Sequence, residues 1–242
     1  MNAAKAQPAS QPGRARNSER ARTVILEAAE AVFAEHGFEG ARMDAVAKAS
    51  GYNISLLFQY FGDKLGLYSA VLRRANTETA ELQKQLLAPL LAGEAMAFQA
   101  PVFRAFLEQA VQTVFDYLAQ RPRLLRTLTW EMAEGWRTYA RVATQLPPDA
   151  SGSFEAVFQR ARQAGLLRSG FQNLIQLTLI FQVCQSYLAF LPMYQAMLPG
   201  EAMSSEQSLL RAREHLVRFI VGGMLVDQPP AHPDTRHEGA LV

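Results

Sequence analysis

The feature that constrains this chain most is the spacing of its apolar residues, which recur with a period close to 3.6 between residues 19 and 226. Ile25, Ala29 and Phe33, for example, form one stripe of a predicted first helix over 19–35. No segment shows strand-like alternation followed by a hairpin turn, and no internal repeat occurs. The pattern therefore predicts an all-α fold of about nine helices.

Glycine, proline and capping residues divide this pattern into separate helices. Pro89 is expected to end a long fourth helix and Pro192 a long apolar helix, because proline cannot continue the backbone hydrogen bonding. The segment 136–146 is expected to be flanked by loops. The predicted helices after the first are 42–49, 53–60, 64–89, 101–120, 122–134, 154–164, 173–191 and 205–226.

Composition excludes several classes of protein. Of the 242 residues, 49% are hydrophobic, which is enough for a sizeable core. The single cysteine, Cys184, excludes an internal disulfide and a four-cysteine zinc site. No apolar stretch follows Met1, and three glutamines interrupt the most apolar region, 174–193, which favours a buried helix over a membrane span. We expect a cytoplasmic protein with no membrane partner.

The two ends of the chain differ in composition from the rest. Pro8, Pro12 and Gly13 predict a flexible arm over residues 1–18, and three prolines predict a mobile tail over 228–242. The first 22 residues carry five cations against one acid, a balance that is compatible with nucleic acid as a partner. These cations are Lys5, Arg14, Arg16, Arg20 and Arg22.

Two short predicted helices, 42–49 and 53–60, are joined by a turn that contains Gly51 and follow a supporting helix, as in a helix-turn-helix. A helix that enters the major groove needs apolar anchors on one side and polar groups on the other. The anchors are predicted to be Leu57 and Phe61. The outward side chains are predicted to be Ser55, Gln59 and Tyr60.

The residues around this pattern strengthen the interpretation. They are Ala28, Phe33-Ala34-Glu35-His36-Gly37-Phe38-Glu39-Gly40, Val46-Ala47, Gly51, Leu57-Phe58-Gln59-Tyr60-Phe61-Gly62-Asp63-Lys64 and Leu67. In this order and spacing they resemble the TetR family of transcriptional regulators, from Arg20 to Leu72. The resemblance implies a DNA-binding domain of three helices, a fourth helix that leads into a larger ligand-binding domain, and dimerisation through the last two long helices.

This resemblance sets the expected organisation and function. Residues 1–18 form the basic arm, 19–66 the DNA-binding domain, 67–227 the ligand-binding and dimerisation domain, and 228–242 the tail. The expected function is that of a homodimeric repressor, which a small lipophilic effector releases from a pseudo-palindromic operator in double-stranded DNA.

Seven residues are predicted to contact DNA. Arg42 and Lys64 are expected to bind phosphates, and the Tyr60 hydroxyl is expected to do the same. Gln59 is expected at a base edge or a phosphate. Leu56 either touches a thymine methyl or packs locally. The full set is Arg42, Asn53, Ser55, Leu56, Gln59, Tyr60 and Lys64, of which Asn53 is also a predicted N-cap.

The chain departs from the family pattern on the predicted recognition helix. Ile54-Ser55-Leu56 opens the helix where most members carry a polar sequence, and Phe58 replaces a tyrosine whose hydroxyl would bond a phosphate. No cationic side chain lies between Gly51 and Phe61. This weak charge keeps open an alternative, an all-α small-molecule-binding protein or enzyme that reuses the fold without regulating DNA.

Eight residues of the second half are candidates for lining an effector cavity, although an ordinary helical core would use the same residue types. Glu131 would orient a cationic ligand or hydrogen-bond a hydroxyl, so the expected effector is lipophilic and neutral or cationic. The candidates are Phe103, Phe106, Trp130, Glu131, Trp136, Tyr139, Phe158 and Phe181.

Motifs for catalysis are missing from the sequence. It contains no nucleophile elbow, phosphate-binding P-loop or zinc-protease motif, and His232 and His237 lack a set of metal-ligand partners. We therefore expect no enzyme activity, no metal and no cofactor.

Overall fold

A computed structural model describes residues 12–92, 98–144, 151–168 and 172–226. These residues form ten α-helices and no strand beyond an isolated antiparallel bridge between Leu167 and Leu225. The all-α prediction is confirmed. The helices are α1 (Pro12–Gly40), α2 (Met43–Ser50), α3 (Ile54–Phe61), α4 (Lys64–Ala92), α5 (Ala100–Ala119), α6 (Pro122–Ala133), α7 (Arg137–Ala143), α8 (Ser151–Gln163), α9 (Asn173–Met197) and α10 (Glu206–Met224).

The first helix is longer than the sequence predicts. It begins at Pro12 rather than Glu19, so residues 12–18 of the expected arm are helical, and proline suits the first position of a helix. Residues 1–11 and the expected tail at 228–242 lie outside the described residues. Gly37, with φ 67° and ψ −179°, interrupts the helical backbone where the sequence predicts its end.

Neither Pro89 nor Pro192 ends its helix, which corrects the prediction for both. Leu87 and Leu90 are buried on either side of Pro89, and α4 continues to Ala92. α9 continues to Met197, and the Tyr194 ring packs against Tyr187 on the other side of Pro192, with ring centroids 5.7 Å apart. Packing of the following turn offsets the hydrogen bond that proline removes.

The chain divides into two compact units. The first comprises Met1–Leu82 and Leu118–Asp149, and the second comprises Gln83–Tyr117 and Ala150–Val242. α6 and α7 therefore belong to the same unit as the helix-turn-helix. The predicted boundary between residues 66 and 67 separates a DNA-binding domain from a ligand-binding domain. Because it is a division by function, it stays a prediction.

The core of the first unit joins α1, α3, α4 and α7. The Tyr68 ring lies at its centre, 4.8 Å from Phe33 and 5.1 Å from Phe38 between centroids. Leu57 of α3 and Val142 of α7 are fully buried in the same cluster. This core fixes the orientation of α3, since its inward side chains are part of it.

In the second unit, the region after α8 is tied to the end of α10. Arg168 N donates to Met224 O at 2.9 Å, and Val226 N donates to Leu166 O at 3.0 Å. No described helix of either unit is long and apolar enough to span a membrane.

Candidate nucleic-acid interface

The turn between α2 and α3 is built by two local signals. Gly51 ends α2 in the left-handed region, with φ 74° and ψ 9°, where a side chain would be strained. Asn53 begins α3, because its Oδ1 accepts a hydrogen bond from Leu56 N at 2.8 Å. The predicted N-cap is therefore confirmed, and α3 starts at a defined angle to α2.

Leu57 and Phe61 anchor α3 as predicted, since both side chains are buried in the core of the first unit. The Arg22 guanidinium lies over the Phe61 ring at 5.2 Å and over the Tyr60 ring at 5.6 Å. Tyr60 is consequently half-buried rather than fully outward. Ser55 and Gln59 are exposed, and Leu56 is half-buried.

A close contact joins α3 to α4. A β-carbon on Gly66 would overlap the carbonyl oxygen of Phe61, so only glycine fits there. The Asp63 carboxylate accepts a hydrogen bond from Gly66 N at 2.7 Å and caps α4. α4 thus begins at Lys64, directly beside the end of the recognition helix.

The two predicted phosphate-binding cations already have partners within the chain. Arg42 donates from Nε and Nη2 to the two carboxylate oxygens of Asp44, at 3.1 and 2.9 Å, and this pairing lowers the pKa of Asp44. Lys64 Nζ donates to Glu39 O at 3.0 Å and lies 4.7 Å from the centre of the Phe38 ring. Phosphate binding by either cation stays a prediction, and it would compete with these contacts.

Two outward residues of α3 were not among the predicted DNA contacts. Ile54 is 39% exposed and Phe58 is 45% exposed, next to Ser55 and Gln59. The sequence could have indicated both residues as candidates, because both occupy positions where the chain departs from the family pattern.

The structure divides the eight candidate effector residues between the two units. The first unit contains Trp130, Glu131, Trp136 and Tyr139, and the second contains Phe103, Phe106, Phe158 and Phe181. Effector binding by any of them stays a prediction.

Glu131 is the most enclosed charged side chain among the described residues, at 1% exposure. Its Oε1 accepts from the Tyr68 hydroxyl at 2.5 Å, and its Oε2 accepts from Tyr139 N at 3.0 Å. Burial and the Glu131 carboxylate raise the pKa of Tyr68, which keeps that hydroxyl a donor. Glu131 therefore connects α6 to α4 and to α7 within the first unit.

The α6 helix also caps the broken end of α1. The last carbonyls of a helix lack partners within it, and here Ala34 O accepts from Arg126 Nε at 3.1 Å and from Trp130 Nε1 at 3.3 Å. The Trp130 ring covers Gly37, where a β-carbon would lie 3.0 Å from Cδ2 of the indole. Trp130 thus packs against the supporting helix of the DNA-binding motif.

Three of the candidate residues of the second unit form an aromatic cluster. Phe103 and Phe158 are fully buried with ring centroids 6.3 Å apart, and Phe106 lies 5.7 Å from Phe103. Phe181 is half-buried on α9.

One polar residue of the second unit was missed as a candidate. Gln185 is 2% exposed, and its Nε2 has no hydrogen-bond partner among the described residues. The neighbouring Cys184 is buried, which raises the pKa of its thiol to about 12. A buried donor without a partner costs about 1–3 kcal/mol. The sequence could have indicated Gln185, because it is one of the three glutamines within the apolar region 174–193.

The first unit defines a helix-turn-helix protein of the kind that presents an exposed helix to DNA. The family model described as bacterial regulatory proteins, tetR family, matches residues 25–71. A model described as tetracyclin repressor-like, C-terminal domain, matches residues 104–220. The chain belongs to the TetR family of bacterial transcriptional regulators, which confirms the resemblance.

Individual relatives agree with the family. The chain is 35% identical over 120 residues to the HTH-type transcriptional repressor SCO4008 of Streptomyces coelicolor, a match covering 50% of this chain and 54% of that protein. It is 27% identical over 208 residues to the HTH-type transcriptional regulator RutR of Escherichia coli, covering 83% and 88%. Native NalD of Pseudomonas aeruginosa shares the fold, with a TM-score of 0.57 at 20% identity over 87% of this chain and all of that one (100%).

Proposed function

We propose that this chain is a homodimeric repressor that binds a pseudo-palindromic DNA operator and is released by a small lipophilic effector. The observation that carries the proposal is α3, which is anchored by Leu57 and Phe61 and exposes Ser55 and Gln59 on its outward side. In a dimer, two copies of α3 would enter successive major grooves about 34–36 Å apart. We further propose that the chain acts in the cytoplasm and is not an enzyme, in line with its regulator relatives.

The proposed dimer forms through α9 and α10. Large apolar side chains are exposed along α9. They are three, four, seven or eleven residues apart, and these separations place them on one side of the helix. Phe219 of α10 is 66% exposed. Two copies would bury these side chains in a four-helix bundle. The exposed residues of α9 are Ile175, Leu179, Phe190, Met193 and Met197.

Sedimentation tests this part of the proposal. The wild-type chain is expected to be a dimer at micromolar concentration, and Phe219→Asp is expected to be a folded monomer because an interface carboxylate would lose its water. Leu188 is already buried within one chain, so a substitution there would disturb the fold as well as the dimer and would not test the dimer alone. A stable wild-type monomer would refute the dimer.

The proposed effector site lies in the second unit. Phe103, Phe106 and Phe158 would supply apolar surface, with Phe181 as a further wall. Gln185 would be the orienting donor, because its Nε2 has no hydrogen-bond partner in the part of the chain that the structure describes. We leave Glu131 out of the proposed site, since it belongs to the first unit and its two oxygens accept hydrogen bonds from Tyr68 and Tyr139. The expected effector is therefore neutral and carries a hydrogen-bond acceptor.

The proposed mechanism is a shift between two populations. The effector binds the DNA-incompetent state more tightly, and DNA binds the other state. α4 contributes residues to both units, so a change in its position would reach α3. A screen for compounds that release DNA from the wild type and from Gln185→Leu tests the site. If small, highly charged anions release the DNA, the proposed apolar effector site is wrong.

DNA binding is tested by selecting genomic fragments and measuring affinity against salt. Lys64→Ala and Arg42→Ala should each weaken binding and reduce the slope of log K against log salt by about one unit per half-site contact. Gln59→Ala should instead change the preference among operator variants. If all three leave binding unchanged, the proposed placement of the motif on DNA is wrong. If no fragment binds in a salt-dependent way, an all-α binding protein or enzyme replaces this proposal.

The ion pair at the start of α2 allows a sharper test. Asp44→Asn removes the carboxylate that holds Arg42. The freed guanidinium should tighten DNA binding and steepen the salt slope, so Asp44→Asn and Arg42→Ala should act in opposite directions. Equal weakening by both variants would mean that the ion pair itself supports α2.

A further inference from the structure

The outward side of α3 has an apolar pair and no charge. Ile54 and Phe58 are four residues apart and therefore neighbours on one face of the helix. The helix sequence, ISLLFQYF, contains no cationic or acidic residue. The polar groups that share this side are Ser55 and Gln59. Whatever α3 contacts must therefore accept apolar surface beside one or two hydrogen-bonding groups.

The packing of the first unit does not depend on the side chains of Ile54 and Phe58. Leu57 and Phe61 already supply the inward contacts of α3, and both are buried. Exposed large apolar side chains beside hydrogen-bonding groups are typical of a surface that meets a partner. In the major groove, the apolar group on offer is the C5-methyl of thymine, which lies beside the hydrogen-bonding edge of adenine.

We infer that Ile54 and Phe58 recognise thymine methyl groups in the major groove. This inference rests on the proposed function and names the bases that α3 recognises. Side chains at i and i+4 lie about 5–6 Å apart, which is between one and two steps of about 3.4 Å along one strand. The two thymines are thus adjacent or separated by one base pair, and Gln59 is placed to pair with an adenine beside them.

Deoxyuridine substitution tests the inference with the wild-type protein. Deoxyuridine lacks only the methyl group of thymine and retains every hydrogen-bonding atom. In an operator obtained by selection, each thymine of a half-site is replaced in turn. We expect two positions at which affinity falls about fourfold, as for one buried methyl group, with an unchanged salt slope. Loss at neither position, with salt-dependent binding intact, would overturn the inference but not the proposed function.

Variants assign each thymine to a residue. Ile54→Ala and Phe58→Ala should each bind more weakly and become insensitive to deoxyuridine at one position, while remaining sensitive at the other. Met132→Ala is the matched control, because Met132 is an exposed apolar residue of α6 in the same unit. It should behave as the wild type.

Leu56 is the competing candidate, since it is half-buried on the same helix. If Leu56→Ala abolishes the deoxyuridine effect and the other two variants retain it, the inference is wrong. Retention of full sensitivity in all three variants would also overturn it. Absence of any salt-dependent DNA binding would instead remove the proposed function on which it rests.

Discussion

The recognition helix α3 and the α6–α7 segment of the first unit contrast in what they expose. α3 leaves Ile54 and Phe58 in solvent, whereas α6 buries the charged side chain of Glu131 at 1% exposure. Both segments carry aromatic residues, but α6–α7 also carries several charged side chains and α3 carries none. Residue type alone would place a carboxylate in solvent and large apolar side chains in a core, and the tertiary contacts do the opposite for these three residues.

The difference shows what a buried charge and an exposed apolar group each require. Glu131 is buried because Tyr68 and Tyr139 supply hydrogen bonds to both of its oxygens. Ile54 and Phe58 have no such enclosure, and their free surface is available to a partner. The acid expected in an effector pocket thus holds helices together, and the residues that looked like departures from a family pattern lie at the candidate interface.

The largest expected effect is on the buried acid. Glu131→Leu would leave the buried Tyr68 hydroxyl without its acceptor, at about 1–3 kcal/mol, and would also remove the contact with the half-buried Tyr139 N–H. The free energy of unfolding, measured in urea, should fall accordingly. Glu27→Leu is the matched control at an exposed position of α1. The double variant Glu131→Leu with Tyr68→Phe should lose less than the sum of the single losses. Equal stability of the Glu131 and Glu27 variants would break the comparison.

The next effect concerns the contact between Trp130 and Gly37. Gly37→Ala places a β-carbon in a backbone region that is nearly reserved for glycine and against the indole, so we expect a loss of about 1–3 kcal/mol or more. Gly51→Ala is the matched control, because Gly51 also has a positive φ but faces open space. It should cost about 1–2 kcal/mol. Equal losses in thermal melts would mean that the indole adds nothing.

A smaller effect is expected at Glu134, whose pKa is raised mainly by burial and then by the charges of Glu131 and Glu39. A raised pKa means that the folded protein keeps this proton when the unfolded chain has lost it. The acid therefore disfavours folding above its raised pKa and has no such effect below its ordinary value of 4.5. Glu134→Gln should raise the melting temperature near pH 7 and not below about pH 4.

Glu27→Gln provides the control for that pH dependence, since Glu27 is exposed on α1. Its melting temperature should follow the wild type at both pH values. An equal gain for both variants would point to overall charge rather than to the surroundings of Glu134.

The smallest effect is expected for the exposed pair. Replacing Ile54 and Phe58 together by serine should change the free energy of unfolding by no more than about 0.5 kcal/mol, because the two side chains lie outside the core. Chemical denaturation measures this directly. A loss as large as that of Gly51→Ala would show that the pair packs within the unit and would remove the contrast with Glu131.

Local patterns were sufficient for much of the fold and part of the candidate site. The 3.6 period predicted the all-α class, and Asn53, Leu57 and Phe61 took the roles expected of a cap and two anchors. Expectations failed where packing outweighs a local preference, as in the turns that follow Pro89 and Pro192. The short helix α7 was also missed, because Val142 is buried by the core of the first unit and not by its neighbours in sequence.

The sequence by itself determined the all-α class, the turn at Gly51 and the family, since each depends on residues a few positions apart or on a dense local motif. Only the tertiary structure decided the surroundings of Glu131, whose partner Tyr68 is 63 residues away. It also decided that Lys64 rests on Glu39 O, 25 residues before it, and that Ile54 and Phe58 face solvent. Burial and hydrogen-bond partners are set by distant residues, and periodicity along the chain does not encode which distant residues meet.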